Sequence, residues 1–182
     1  MLAQQVGKKY GGALFQLAKD KNLIDHAWEQ FNGLAEFLRK DRTFLDLMAA
    51  PQIPDEEKEK LIAKIFQGRF DTTFFNFILV LTRKRRIGYI IDIVEEFDRL
   101  VRIEKGIEKA ACITAIPLSK AERSNLIAKL TAKTGLKIEL EEKVDKAIIG
   151  GMIVILHNQI IDGSIRYGLQ LLKNRLMKVK VH

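Results

Sequence analysis

The 182-residue chain carries 31 Lys and Arg against 23 Asp and Glu, a formal net charge of +8, with 47% hydrophobic and 30% charged residues. That balance excludes a disordered polar tail and suits one globular domain or two small ones. The single cysteine, Cys112, excludes an intrachain disulfide and a cysteine metal cluster, and the longest uncharged stretch, Ala147 to Ile161, falls short of the roughly 20 apolar residues of a membrane span.

Charge is unevenly shared. Residues 1–104 hold 17 basic and 16 acidic side chains, a net of +1, whereas residues 105–182 hold 14 and 7, a net of +7. The second part should therefore prefer an anionic or mixed-charge partner, with nucleic acid, a membrane surface and an acidic protein all open.

In chain order, Leu2, Val6, Tyr10, Ala13, Leu14 and Leu17 recur at helical spacing and predict a helix to about Lys21. Lys8-Lys9 before Tyr10–Ala18 faintly imitates a signal peptide, but Lys19-Asp20-Lys21 replaces a small-residue cleavage site, so the segment reads as a helix of the mature protein. A second helix from Leu23 to about Lys40 carries Ile24, Ala27, Trp28, Phe31, Leu34, Ala35 and Leu38 on one side, which makes Trp28 a core residue. Asp41 can cap a short helix with Leu45 and Met48 that ends at Pro51. Pro54 followed by Asp55-Glu56-Glu57 starts a fourth helix, with acids facing the positive dipole end, and Gly68 closes it. A fifth runs from Asp71 to about Lys84 and a sixth from Ile87 to about Glu104. Six helices with short connections predict an antiparallel bundle over 1–104.

Near Gly106 the period changes from helical to alternating. Ala110–Ile116, Lys137–Glu141, Met152–Leu156 and Gln159–Ile161 read as strands, the third as a central one, with a tight turn at His157-Asn158. Ser119-Lys120-Ala121-Glu122 is a capping box opening a helix that stops at Gly135. Asp162-Gly163-Ser164 turns the chain into a last helix with Ile165, Leu169, Leu172 and Leu176 on one face. Residues 105–182 thus predict a small α/β module of about four strands and two helices, and the whole chain an α+β two-part architecture.

Catalytic chemistry finds little footing. His26, His157 and His182 lack metal-ligand spacing, and Glu95-Glu96 and Glu141-Glu142 are adjacent pairs whose side chains diverge on a helix or a strand. Gly150-Gly151 lacks the context of a phosphate loop and suits a close backbone approach, while Ser164 suits an N-cap better than a nucleophile. No catalytic, cofactor-binding or metal residue is assigned.

Two features exceed the needs of a core. The fifth helix carries Phe74, Phe77, Ile78 and Leu81 on one face, with Phe75, Leu79 and Val80 outside it. In the first, Phe15 projects away from the Tyr10/Leu14/Leu17 stripe near Gly11 and Gly12, whose missing side chains would admit another backbone. Such helices are either central in the bundle or hold a second face for an amphipathic helix. The run Arg83-Lys84-Arg85-Arg86 is either a solvated helix terminus or a nucleic-acid contact, and a basic nucleic-acid-binding adaptor is the alternative that composition offers.

Tyr10-Gly11-Gly12-Ala13-Leu14-Phe15-Gln16-Leu17-Ala18 resembles the opening signature of the delta subunit of F-type ATP synthase, the bacterial counterpart of the mitochondrial oligomycin-sensitivity-conferring protein. Arg86-Ile87 followed by Ile90, Ile93 and Phe97 is similar to that family's segment joining the fifth and sixth helices. The run Val144-Asp145-Lys146-Ala147-Ile148-Ile149-Gly150-Gly151-Met152-Ile153-Val154, with Ile160-Ile161-Asp162-Gly163-Ser164-Ile165-Arg166 after it, resembles the C-terminal signature. Lys84-Arg85 stands where the family commonly has Asn-Gly, and Gly168 where a second basic residue is frequent.

The resemblance implies a non-catalytic stator subunit of a proton-translocating F-type ATP synthase, with no cofactor, nucleic acid or small-molecule substrate. The helical part would sit on the α3β3 head, near the β subunits, and take the N-terminal helix of an α subunit between its first and fifth helices. Tyr10, Gly11, Gly12, Phe15, Phe75, Leu79 and Arg86 would line that groove. The second part would bind the C-terminal helices of the membrane-anchored b subunits, with Asp145, Gly150, Gly151, Asp162, Gly163, Ser164 and Arg166 as its structural signature. The protein would then lie at the cytoplasmic face of the bacterial cell membrane, peripheral and held there only through the complex.

Overall fold

A computed structural model describes residues 2–156 and 159–178; the expected His157-Asn158 turn and His182 lie outside them. The chain is α+β and divides between Arg102 and Ile103 into two compact units, helices in the first and a sheet in the second.

The first unit contains α1 (Leu2–Asp20), α2 (Ile24–Lys40), α3 (Thr43–Ala49), α4 (Asp55–Phe66), α5 (Thr72–Arg83), a 3-10 turn at Ile87–Tyr89, and α6 (Ile90–Glu104), which runs just past the division. Apolar periodicity puts Leu14, Phe31, Ile62, Phe74, Ile78, Ile93 and Phe97 fully inside. Phe31 is the hub, with the rings of Phe70 and Phe74 edge-on at 5.6 Å and those of Phe77 and Phe97 at 6.1 Å. Trp28, expected inside, is only half-buried. Its Nε1–H donates to Asp98 at 2.7 Å and the Arg102 guanidinium lies 5.3 Å from its ring, so the indole's polar edge ties α2 to α6.

The exit of α5 keeps a tight reversal without glycine. Arg85 adopts a φ of 54°, its N–H donates to Thr82 and that of Arg86 to Leu81, both at 2.8 Å, a Schellman pattern that satisfies the last carbonyls. A side chain there is strained by about 1 kcal/mol, and the exposed ion pair of Arg85 with Asp55 offsets little of it. Arg85→Gly is expected to raise the melting temperature of the first unit slightly, for a gain of about 1 kcal/mol or less; thermal denaturation checks it.

The second unit contains β1 (Ile107–Thr114), α7 (Lys120–Thr134), β2 (Lys137–Val144), a 3-10 turn at Lys146–Ile148, β3 (Met152–Leu156), β4 (Gln159–Asp162) and α8 (Ile165–Lys178). The sheet order is β2-β1-β3-β4; β1 and β2 run parallel across the α7 connection, and the other pairs are antiparallel. Strand β1 starts three residues before the expected Ala110 and ends two before Ile116. Gly106, at a φ of 60°, turns the chain straight into pairing of Ile107 with Lys137, a start that the polar Glu108 and Lys109 hide in the sequence. The β2 strand likewise runs three residues past Glu141, because Thr114 still pairs with Val144.

Ser119 and Glu122 form the reciprocal capping box of α7, and Gly135 ends the helix at a φ of 71°. Leu130, with Leu126 and Ile127, covers Ala110, Cys112, Ile138, Leu140, Val154 and Leu156. Arg123 of α7 pairs with Glu142 and donates to the Leu140 carbonyl at 3.0 Å, fixing the helix to β2. Cys112 is fully buried, and burial followed by the Glu142 charge pushes its thiol up, away from the reactive thiolate.

Candidate docking sites

The expected groove residues of the first unit fall into two groups. Tyr10, Phe15, Phe75 and Leu79 are half-buried against the core, and Val80 of α5 is 45% exposed. Helices α1 and α5 both pack against the 3-10 turn at Ile87–Tyr89, whose N-cap is the half-buried Arg86. Lys19 Nζ stands 5.8 Å from the Phe15 ring centroid.

Gly11 does not open space for an outside helix. It is buried against α6, where a Cβ would lie 2.7 Å from the Ile93 carbonyl oxygen and 2.8 Å from Glu96 Cβ. Gly7, one turn earlier, would meet the Asp92 carbonyl oxygen at 2.9 Å. The i, i+4 pair Gly7/Gly11 is therefore the α1–α6 seam. Gly12 has nothing within 4 Å of an added Cβ and remains open.

A further apolar concavity is not legible in the sequence. A groove of about 540 Å³ runs between α2, α3 and α4, lined by Leu34, Phe37, Phe44, Leu47, Leu61 and Ile65 among others. Phe37 is 59% exposed there. The available signal was Phe37 itself, which stands off the α2 stripe beside the buried Leu38.

The basic run at the end of α5 is engaged within the unit. Arg83 makes two hydrogen bonds to Glu59 at 2.9 and 3.0 Å, and Arg85 reaches Asp55 at 2.9 Å, so the acidic first turn of α4 and its next turn take up two of the four cations. The carboxyl pairs split as divergence requires: Glu95 bonds Arg39 at 2.8 Å, while Glu96 bonds Arg99 at 2.7 Å, and the Arg99 hydrogen bond holds the Glu96 carboxyl below its usual range.

In the second unit the signature residues clasp one another. Gly151 has a φ of 76°, and a Cβ there would lie 2.3 Å from the Gly163 carbonyl oxygen. Gly163 N–H donates to Met152 and Ile165 N–H to Gly150, both at 3.0 Å, locking the start of α8 onto the first residue of β3 and the loop before it. The Ser164 hydroxyl accepts from Tyr167 N–H at 3.1 Å and so caps α8, while Asp162 accepts from Ser164 N–H at 2.9 Å. The bonds from Ser164 first, and the Arg166 charge last, hold the Asp162 carboxyl below its usual range. Asp145 N–H donates to Thr114, and its carboxylate accepts from Ala147 N–H at 2.9 Å, placing the 3-10 turn over the end of β1. Arg166 is exposed on α8.

Among the described residues no group of His, Cys, Asp and Glu is placed to hold a metal ion, and no helix is long and apolar enough to cross a membrane. The clasp explains why its residue types occur where they do.

The sequence profile described as ATP synthase delta (OSCP) subunit matches residues 6–176. The ATP synthase subunit delta of Alkaliphilus oremlandii is 33% identical over 180 residues, covering 99% of this chain and 100% of its own length. The sodium-ion-specific subunit delta of Propionigenium modestum is 34% identical over 166 residues, covering 91% and 95%. Among solved structures, a chain of the Toxoplasma gondii mitochondrial ATP synthase hexamer shares the fold at a TM-score of 0.70 and 21% identity, covering 96% of this chain and 98% of its own. The chain belongs to the ATP synthase delta (OSCP) subunit family, a non-catalytic stator component of the F-type ATP synthase.

Proposed function

We propose that the chain ties the α3β3 head to the b-subunit stalk, so that rotary ion transport does work on the catalytic sites and does not turn the head. In this reading the helical unit is an antiparallel six-helix bundle that receives an α-subunit N-terminal helix between α1 and α5. The second unit takes the C-terminal helices of the b subunits, and the assembly sits peripherally at the cytoplasmic face of a bacterial membrane. Two sites on one chain hold each other at high effective concentration, which slows detachment under load.

The observation that carries the head contact is the apolar surplus of α5. One face fills the core with Phe74, Phe77, Ile78 and Leu81, yet Phe75 and Leu79 are only half-covered and Val80 is 45% exposed. Phe15 on α1 and the open Gly12 beside it support the same groove.

Titration of the full chain with an α-subunit N-terminal peptide tests it. Phe15→Asp or Leu79→Asp is expected to weaken binding at least about tenfold with the circular dichroism spectrum unchanged. Phe37→Asp, in the groove between α2, α3 and α4, should leave affinity unaltered. Loss at Phe37 with retention at Phe15 and Leu79 would move the peptide to that second groove.

A further inference from the structure

Every side chain of α8 from Ile165 to Met177 is exposed, none belongs to the core of the second unit, and the helix contacts that unit mainly at the 3-10 turn before β3. A fourteen-residue helix held mainly near its start is marginal in water without a partner on its apolar side. Ile165, Leu169, Leu172 and Leu176 are spaced by four, three and four residues and are 50%, 54%, 53% and 65% exposed. That spacing is a d-a-d-a heptad seam, confined at 100° per residue to an arc of about 60°, narrower than the face that a helix turns to a globular core or a lipid surface. Tyr167 and Leu171 begin a second row, but Asn174 ends it after one turn.

In that register Arg166 and Lys173 occupy the e positions and Arg175 a g position, the sites that face the partner's flanking charges. No acidic residue occurs in α8, and the preceding Asp162 is taken up by Ser164 N–H. A second copy of the chain would therefore set cation against cation in either orientation, so the seam selects against self-pairing.

We infer that α8 is a coiled-coil docking edge for an amphipathic helix that repeats apolar residues at a and d and carries Glu or Asp at its e and g positions. This rests on the stalk reading above, since that helix would be supplied by the stalk. The clasp of Gly150-Gly151 against Gly163-Ser164 then has a mechanical purpose: it is the joint through which load on α8 reaches the sheet.

The test titrates the full chain with two designed four-heptad peptides, Leu at a and d in both, Glu at e and g in one and Lys in the other. The Glu peptide is expected to bind, more weakly as salt rises, and the Lys peptide at least about tenfold less tightly. Leu169→Asp/Leu172→Asp, on a surface no core uses, should remove binding without altering the melting of either unit. Equal affinity for both peptides, unchanged binding by the double variant, or tighter binding to phosphatidylglycerol vesicles than to the Glu peptide would overturn the inference. Isolation of the tagged chain from membranes separates it from the stalk reading. If the unsubstituted chain and the double variant both bring subunit b, α8 is not the contact and the stalk reading stands. If the unsubstituted chain brings no subunit b, both fall; if only the double variant loses it, the inference holds.

Discussion

Gly151→Ala is expected to destabilise the second unit by about 3 kcal/mol, from backbone strain and overpacking together. The φ of 76° alone penalises any side chain, and the added Cβ would lie 2.3 Å from the Gly163 carbonyl oxygen and 3.2 Å from Ser164 Cα. Both obstacles are backbone, so no rotamer change relieves them. The loop must open, which breaks the Gly163-to-Met152 and Ile165-to-Gly150 hydrogen bonds that seat α8. Gly150→Ala is the milder comparison, because its Cβ meets Ile165 Cδ1, the movable end of a side chain, at 2.7 Å. Hydrogen exchange in the full chain reads the difference. The Gly163, Ile165 and Tyr167 amides should exchange far faster in Gly151→Ala, while amides of α2 and α6 keep their protection. Native exchange rates in that variant would contradict the clasp.

Adjacent glycines in α1 should respond with opposite signs. Gly11→Val places its Cβ against the Ile93 carbonyl and Glu96 Cβ, and α6 can yield only by moving as a body, so a loss of about 3 kcal/mol in the first unit is expected. Gly12→Ala meets nothing within 4 Å and exchanges a poor helix former for the best one, a gain of about 1 kcal/mol. If Gly12 admits the backbone of a docked helix, the same Gly12→Ala variant will melt at a higher temperature yet hold the α-subunit peptide less tightly. Thermal denaturation of both variants, with peptide titration of the second, checks the pair. A stabilised Gly11→Val would remove the α1–α6 seam.

How much of this is legible in the sequence depends on whether a residue's reason is local. Capping at Ser119 and Glu122, the glycine stop at Gly135 and the apolar stripes of α2 and α6 follow from spacing alone. The change of period near Gly106 marked the passage from helices to sheet, although Glu108 and Lys109 hid the true start of β1. Gly11 is the instructive miss. A glycine in a helix permits a close approach without saying by whom, and only the packing of α6 onto α1 assigns Gly11 to the protein's own interior and leaves Gly12 uncovered. The groove between α2, α3 and α4 was invisible for the same reason, since it exists only where three helices meet. Arg85 is a different case: Lys84-Arg85 departs from the family's usual Asn-Gly, yet the hydrogen bonds to Leu81 and Thr82 impose the reversal on an arginine.

The claim that one chain bridges head and stalk is tested most directly with membrane vesicles that carry the b subunits and the ion-conducting sector but have been stripped of the head and of this chain. Purified α3β3 head with its central shaft is added with and without the full chain, and both sedimentation of the head and ATP-driven ion pumping are measured. The expected result is that the head sediments firmly and pumps only when the chain is present, and that Leu79→Asp fails to restore either. Equal retention and pumping without the chain would contradict a bridging role.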